Sequence, residues 1–176
     1  MLFRSCDKAS KFVSFCDCFN LPIVTLTDVG GFVVSSEQEH LGLLKHSSKL
    51  LYAYTEATVP KINVIIRKAY GSSYITMCSK HTGADIVLAW PTAEISVMAP
   101  EGAANIIFKN DIAESSNPVA TRNEKISEYK NKCASPFEAA MRGYADDVIE
   151  PDSTRDRKST RLNSSHAKTS RMPSSA

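Results

Sequence analysis

Two short glycine-containing segments carry residue types that could do chemistry: residues 28–32 (DVGGF) and residues 69–74 (AYGSSY). In the second, a β-branched run ends, Gly71 permits a tight turn, and Ser72 and Ser73 begin a helix. Free N–H groups at a helix start favour negative charge, and N–H groups aimed at a carbonyl oxygen form an oxyanion hole. Because single-glycine turns are common, the residues alone favour an ordinary strand-to-helix turn.

Other catalytic and metal-binding patterns are missing from the sequence. Ser72 is not part of a GxSxG motif, and there is no GxGxxG or P-loop motif. The five cysteines include no CxxC pair and the four histidines no HxxxH spacing. We therefore expect reduced structural thiols, typical of a cytosolic protein, and no metal site. The dipoles of the predicted helices explain the placement of Glu37 and Glu39 at a helix start and of His81 at a helix end. Chemistry based on backbone N–H groups needs no conspicuous side chains, which fits this pattern.

The elements that must position these junctions alternate along the chain. Hydrophobic periodicity predicts helices at 7–19, 36–58, 73–81, 100–108, 121–132 and 136–142, and strands at 23–27, 62–66, 86–90, 94–98 and 148–149. Ser36 and Glu39 fit a capping box, and residues 109–120 are predicted to be an exposed connection. Strands alternating with helices predict an α/β fold with a largely parallel sheet.

Composition and charge exclude several classes of protein. The 176 residues are 43% hydrophobic and 23% charged, as in one globular domain, and unlike collagen-like, disordered or disulfide-stapled chains. No apolar run approaches the roughly 20 residues of a membrane span, and no signal peptide follows Met1. Residues 6–155 carry 15 Lys/Arg and 18 Asp/Glu, a net charge of −3, so no nucleic-acid partner is predicted.

The two ends differ from the rest of the chain. Residues 1–5 (MLFRS) and 156–166 (DRKSTRLNSSH) look like in-frame translations of the two strands of a sequencing adapter. We therefore predict a domain at 6–155, incomplete at its C-terminus, between an adapter-like extension (1–5) and a disordered adapter-like tail (156–176). A natural Ser/Arg-rich linker is the alternative for the tail.

Further segments resemble one family. In the first part of the chain, residues 15–22 (FCDCFNLP) resemble FCDAFNIP, residues 28–32 (DVGGF) resemble DVPGF, and residues 49–61 (KLLYAY with EATVPK) resemble KLLYAYAEATVPK. In the middle, residues 67–71 (RKAYG) resemble RKAYGGAYDVM and residues 79–85 (SKH with GAD) resemble SKHLGAD. Further on, residues 89–95 (AWPTAEI) resemble AWPTAEIAVMG, and residues 143–151, from GY to IEP, resemble RGYVDDVI.P. These motifs are those of biotin-dependent acyl-CoA carboxylase carboxyltransferase (β) subunits of the propionyl-CoA/methylmalonyl-CoA type. The chain resembles the C-terminal one of their two domains.

This resemblance implies a crotonase-like fold of repeated ββα units. It implies carboxyl transfer between carboxybiotin and a propionyl-CoA-like acyl-CoA, with this domain on the biotin side and no metal in it. The implied partners are a biotin carboxylase, a biotin carrier that brings the biotin, and copies of the subunit, as a hexamer at full length. The implied location is the cytoplasm of a bacterium or the matrix of a mitochondrion.

The resemblance also implies roles for individual residues. The N–H groups of Ser72 and Ser73 would form the oxyanion hole for the biotin ureido oxygen, where the family has Gly and Ala. Tyr70 and Gly71 would shape this turn, with Gly30 and Gly31 in a second glycine turn beside it. Ile75 stands where propionyl-type members have Asp, at the acyl pocket, and Ile removes a charge there.

Two other functions remain open. The second interpretation, after the carboxyltransferase subunit, is the α subunit of a biotin-dependent methylmalonyl-CoA or glutaconyl-CoA decarboxylase, which shares this domain but hands carboxybiotin to a membrane sodium pump. It could also be a non-catalytic fragment that keeps only an assembly surface. In the family the active site lies between two domains of different subunits, so the chain alone is expected to lack turnover.

Overall fold

The computed structural model describes residues 3–157. Met1, Leu2 and residues 158–176, which include most of the predicted tail, lie outside the described residues. The helices are α1 (Phe3–Cys18), α2 (Ser36–His40), α3 (Leu43–Glu56), α4 (Gly71–Ile75), α5 (Pro100–Ile107), α6 (Lys109–Glu114), α7 (Pro118–Cys133) and α8 (Pro136–Met141), with 3-10 turns at Lys80–Thr82 and Pro151–Ser153. The strands are β1 (Ile23–Val29), β2 (Lys61–Tyr70), β3 (Ile86–Ala89), β4 (Glu94–Ser96) and β5 (Asp147–Val148).

The five strands form one sheet in the order β1-β2-β3-β5, with β4 added to the second half of β2. Every pairing between these strands is parallel, which confirms the predicted parallel sheet. The central strand β2 begins with five buried residues, as expected for a parallel strand that is covered on both faces. Its N-terminal half pairs with β3 and its C-terminal end with β4, so β2 carries the junction to α4.

Apolar side chains from alternate positions of β2 fill two clusters, because successive side chains of a strand point to opposite faces. Ile65 belongs to the larger cluster, together with Val13 of α1 and Leu50 of α3. Ile62 and Val64 belong to a smaller cluster with Leu88. The helices α1 and α3 also contact each other and cover one face of the sheet.

Several element bounds differ from the sequence-based expectation. The helix predicted at 36–58 is two helices, because Gly42 has φ +76° and interrupts it. The first of them is capped by Ser35, whose Oγ accepts the N–H of Gln38 at 3.2 Å, and not by the predicted box starting at Ser36. The stretch predicted to be an exposed connection, 109–120, contains α6 and the start of α7. The sequence of α6 shows no apolar periodicity that would predict a helix, because this helix buries no residue.

The ends of the described chain are helical. Residues 3–5 belong to the first turn of α1. Residues 154–157 are helical, and the Arg157 guanidinium lies 3.5 Å from the Asp147 carboxylate. Within residues 3–157, no helix has the length and apolar character needed to cross a membrane.

Candidate functional site

The two glycine junctions lie at the same edge of the sheet. Val29, near the end of β1, pairs with Ala69, near the end of β2. Gly30 and Gly71 therefore follow the carboxyl ends of two adjacent parallel strands. In open parallel sheets, ligands bind in the crevice beyond these strand ends.

The junction at Gly71 has a backbone that favours glycine. Tyr70 is extended (φ −112°, ψ 132°), and Gly71 then takes φ +61° at the first position of α4. A β-carbon on Gly71 would also lie 3.0 Å from the carbonyl oxygen of Val97. The strand-to-helix turn predicted here is therefore present, although α4 begins at Gly71 and ends at Ile75 instead of spanning 73–81.

The two serines of this turn have different environments. Ser73 is completely buried, and its Oγ donates to the carbonyl oxygen of Tyr70 at 2.8 Å. Ser72 is exposed. Both N–H groups lie in the first turn of α4, where no intrahelical acceptor exists, and neither donates to another group in the described part of the chain.

A cavity of about 540 Å³ opens beside this turn. Its wall brings together three of the predicted site residues, Gly71, Ser72 and Ile75. The opposite wall comes from the C-terminal end of α7 and from α8, through residues such as Cys133 and Arg142. Tyr70, Ser73, Gly30 and Gly31 do not line the cavity.

Aromatic rings form another part of the cavity wall. The imidazole of His81 stacks on Tyr144 with ring centres 5.2 Å apart and meets Tyr74 edge-on at 6.5 Å. The sequence pattern assigns His81 to a helix-dipole interaction and gives no site role to Tyr144. Both lie in segments that carry the family resemblance, which is the only sequence signal that marks them.

The second glycine turn lies against β2 without reaching the cavity. A β-carbon on Gly30 would lie 4.0 Å from the Lys68 side chain, and Gly31 has φ +114°. Just before this turn, the Asp28 carboxylate accepts hydrogen bonds from the Arg67 guanidinium and the Lys68 N–H. The Arg67 hydrogen bond, followed by the one from Lys68, lowers the pKa of Asp28 despite partial burial. An ionised Asp28 therefore holds the end of β1 against β2.

The described residues offer polar groups for an organic ligand and no cluster for a metal. Among residues 3–157, no three His, Cys, Asp or Glu side chains are grouped to hold a metal ion. The unused N–H group of Ser72, at the cavity wall, suits an oxygen atom that carries negative charge, and that of the buried Ser73 follows it in the same turn. Next to them the cavity supplies the apolar side chain of Ile75.

Known proteins share this sequence and this fold. The carboxyl transferase domain family matches residues 1–176. The chain is 52% identical over 167 residues to the methylmalonyl-CoA decarboxylase α subunit of Propionigenium modestum, covering 95% of this chain and 32% of that protein. It is 56% identical over 149 residues to the methylmalonyl-CoA carboxyltransferase 12S subunit of Propionibacterium freudenreichii subsp. shermanii, covering 85% of this chain and 28% of that protein.

Solved structures give the same result. The crystal structure of transcarboxylase 12S, described as a hexamer, matches 100% of this chain and 34% of its own with a TM-score of 0.89 and 51% identity. The β subunit of P. aeruginosa geranyl-CoA carboxylase shares the fold at 23% identity and a TM-score of 0.78. The fold is the crotonase-like fold that the motifs predicted. The chain thus spans about a third of the relatives it matches, and it belongs to the carboxyl transferase domain family.

Proposed function

We propose that this chain is the biotin-side part of a carboxyltransferase subunit, which moves a carboxyl group between carboxybiotin and a propionyl-CoA-like acyl-CoA. The observation that carries this function is the start of α4, where the unused N–H group of Ser72 lies at the wall of a cavity of about 540 Å³ and that of the buried Ser73 follows in the same turn. Relatives named for methylmalonyl-CoA and propionyl-CoA support the substrate class. We propose residues 6–155 as the functional domain.

The residues of the turn would act through their backbone. Bound carboxybiotin would supply the carboxyl group, and its ureido oxygen would gain negative charge as that group leaves. The N–H groups of Ser72 and Ser73 would donate to this oxygen, and donors of this kind typically lower a barrier by about 3 kcal/mol each. Tyr70 and Gly71 hold the turn in shape, and Gly30 and Gly31 keep the adjacent strand end free of side chains.

Ile75 is the residue we expect to govern the choice of acyl group. Its side chain is 39% exposed and lines the cavity beside the turn. An alkyl group in this position favours an apolar acyl chain and offers no charge to a polar one. We therefore propose a propionyl-CoA-like substrate whose acyl group carries no charge at this position.

The proposed partners are a biotin carboxylase and a biotin carrier, with copies of the full subunit forming a hexamer like that of transcarboxylase 12S. The proposed location is the bacterial cytoplasm or the mitochondrial matrix. The decarboxylase α subunit is a second candidate, because two relatives of that name are 52% and 54% identical. Neighbouring genes separate the two: a biotin carboxylase gene supports the first, and a gene for a membrane subunit with many spans supports the second.

A chimaera tests the transferase function. Residues 6–155 would replace the matching segment of the 12S subunit, which supplies the remaining domain. We expect the chimaera to move labelled carboxyl groups from methylmalonyl-CoA to a biotin carrier, and Gly71→Ala to reduce this rate at least about tenfold by shifting the N–H donors. A folded chimaera without transfer would favour the non-catalytic fragment.

Direct binding provides a second test on the 176-residue chain. Biotin methyl ester, titrated into ¹⁵N-labelled protein, should shift the amide signals of Ser72 and Ser73 and leave those of Thr25 and Thr27 unchanged. Thr25 and Thr27 are buried in β1 and do not line the cavity. Shifts spread evenly over the chain would argue against a defined site.

A further inference from the structure

We infer that Glu94 is a positioning residue for the turn at the start of α4, and that it acts as an ionised carboxylate shared by Tyr70 and Lys130. The inference deepens the proposed function, because it explains what holds the proposed N–H donors in place. It names a residue on a different strand from the donors themselves.

Glu94 links three elements around the cavity. It is the first residue of β4, and β4 pairs with the C-terminal end of β2, where Glu94 lies opposite Lys68. One carboxylate oxygen of Glu94 accepts the hydroxyl of Tyr70, and the other lies 3.3 Å from the Nζ of Lys130 on α7. The carboxylate therefore joins the end of β2 to α7.

Tyr70 transmits this contact to the turn. Its side chain is only 4% exposed, so the ring has little room to move. Its hydroxyl is held by Glu94, while its backbone carbonyl oxygen accepts the Ser73 Oγ at 2.8 Å. A single residue thus connects Glu94 with the turn that presents the N–H groups of Ser72 and Ser73.

Lys130 transmits the same contact to the opposite wall. It lies one helical turn before Cys133, which lines the cavity together with Tyr129. The end of α7 is also tied to β4 directly, because the Ile95 N–H donates to the Ala134 carbonyl oxygen at 2.9 Å. The contact between Glu94 and Lys130 therefore adds to the backbone hydrogen bond that holds α7 beside β4.

The carboxylate must be ionised to accept from two donors at once, since a protonated carboxyl adds a hydroxyl that competes as a donor. Burial opposes ionisation, but the hydrogen bonds from Tyr70 and Lys130 outweigh it and lower the pKa of Glu94. The other charged groups that act on this pair are Lys68, which favours the carboxylate, and Glu101, which acts on Tyr70. The link should thus persist at neutral pH and fail in acid.

The rate of Cys133 alkylation in the 176-residue chain tests the link without requiring activity. Iodoacetamide labelling, followed by peptide mass analysis, reports Cys133 on the cavity wall and the exposed Cys18 on α1 as an internal control. We expect Glu94→Gln and Lys130→Met to change the Cys133 rate about fivefold and leave Cys18 unchanged. Lys130→Arg should restore it, and Glu114→Gln, a matched charge control at an exposed position on α6, should have no effect.

Amide signals complete the test. Tyr70→Phe removes only the hydroxyl, so the chain should stay folded while the amide signals of both Ser72 and Cys133 shift. Unchanged Cys133 labelling in Glu94→Gln, or equal changes at Cys18 and Cys133, would overturn the inference. If Glu94→Gln does not fold, the Tyr70→Phe variant provides the test. Amide shifts in that variant that are confined to the Tyr70 side of the cavity and do not reach Cys133 would also overturn the inference. Failure of wild-type chain to bind biotin methyl ester would count against the proposed function alone.

Discussion

The carbonyl oxygen of Val97 lies 3.0 Å from the point where a β-carbon on Gly71 would stand. Two separate constraints thus meet at Gly71, since its φ of +61° is also unfavourable for other residues. The loop that follows β4 presses on the turn from outside, and only a residue without a side chain satisfies both constraints.

Gly71→Ala should therefore destabilise the chain by about 2–3 kcal/mol, of which about 1–2 kcal/mol is the cost of positive φ. Gly83→Ala is the matched control, because Gly83 has φ +83° but its nearest neighbour, the Lys61 Nζ, is 3.8 Å away. Urea unfolding of both variants isolates the contact with Val97. Equal losses in the two variants would show that the Val97 contact contributes nothing.

Substitution of Ser72 should mainly change ligand binding, whereas substitution of Ser73 should mainly change stability. Ser72→Val enlarges an exposed side chain at the cavity, so it should weaken binding of biotin methyl ester with little change in stability. Ser73→Ala removes a buried hydrogen bond to Tyr70, so it should lower the free energy of unfolding by about 1 kcal/mol. Ser72→Gly should strengthen binding by widening the approach. Amide titrations and urea unfolding of the same variants measure both effects.

The sequence predicted the parallel sheet and the turn at Gly71 because both depend on local signals. The β-branched residues 62–66 mark a buried strand, and Gly71 marks its end. The continuation of β2 through Arg67 and Lys68 was not predictable, because both are exposed and polar. Lys68 pairs with Glu94 of β4, and Arg67 lies where the pairing of β2 with β1 shifts register. The break at Gly42 was missed because the periodicity of the apolar residues continues across it.

The cavity itself could not be derived from the sequence. Tyr144 and Cys133 are far from Gly71 along the chain, and only the folding of α7 and α8 back over the end of β2 brings them beside it. The role proposed for Glu94 likewise depends on contacts between segments that are distant along the chain. Nothing local in the segment around Glu94 indicates that its carboxylate is shared by Tyr70 and Lys130.

Two buried tyrosine hydroxyls give a matched pair of stability predictions. The Tyr54 hydroxyl lies 3.0 Å from Thr25 Oγ1, whereas the Tyr74 hydroxyl is buried with no partner among the described residues. Tyr54→Phe should lower the free energy of unfolding by about 1 kcal/mol, and Tyr74→Phe should leave it unchanged or raise it slightly. Urea midpoints of the two variants provide the measurement, and a larger loss for Tyr74→Phe would contradict this expectation.

Asp17 should make stability depend on pH in the acid range. Its carboxylate accepts the N–H groups of Thr58 and Val59 at 2.7 and 3.3 Å, joining α1 to the segment before β2. The Thr58 hydrogen bond is the main cause that lowers the pKa of Asp17 below its ordinary value of 3.8.

Because the unfolded chain then takes up this proton first, the contribution of Asp17 is present above pH 3.8 and is lost as the pH falls through the folded-state value. Asp17→Asn should be less stable than the wild type at pH 7, and the difference should shrink as the pH falls below 3.8. Thermal unfolding from pH 7 down to the acid limit of the folded state measures it. A difference that is constant with pH would rule out the ionised carboxylate as its source.

The chain should associate through an aromatic face on α1. Phe12, Phe15 and Phe19 are 62%, 52% and 64% exposed, and the rings of Phe15 and Phe19 are 4.6 Å apart. Phe12 and Phe15 share one side of the helix, Phe19 directly follows its last turn, and Tyr52 of α3 is also exposed at 63%. Monomers rarely expose contiguous apolar patches above a few hundred Å².

Light scattering of the chain at micromolar concentration should therefore show species larger than a monomer, and Phe12→Ser with Phe15→Ser should reduce them. Phe137→Ser is the control, because Phe137 is similarly exposed, at 56%, but lies on α8. A sharp monomer peak with no binding of a hydrophobic dye would show that the chain buries enough of its apolar surface on its own.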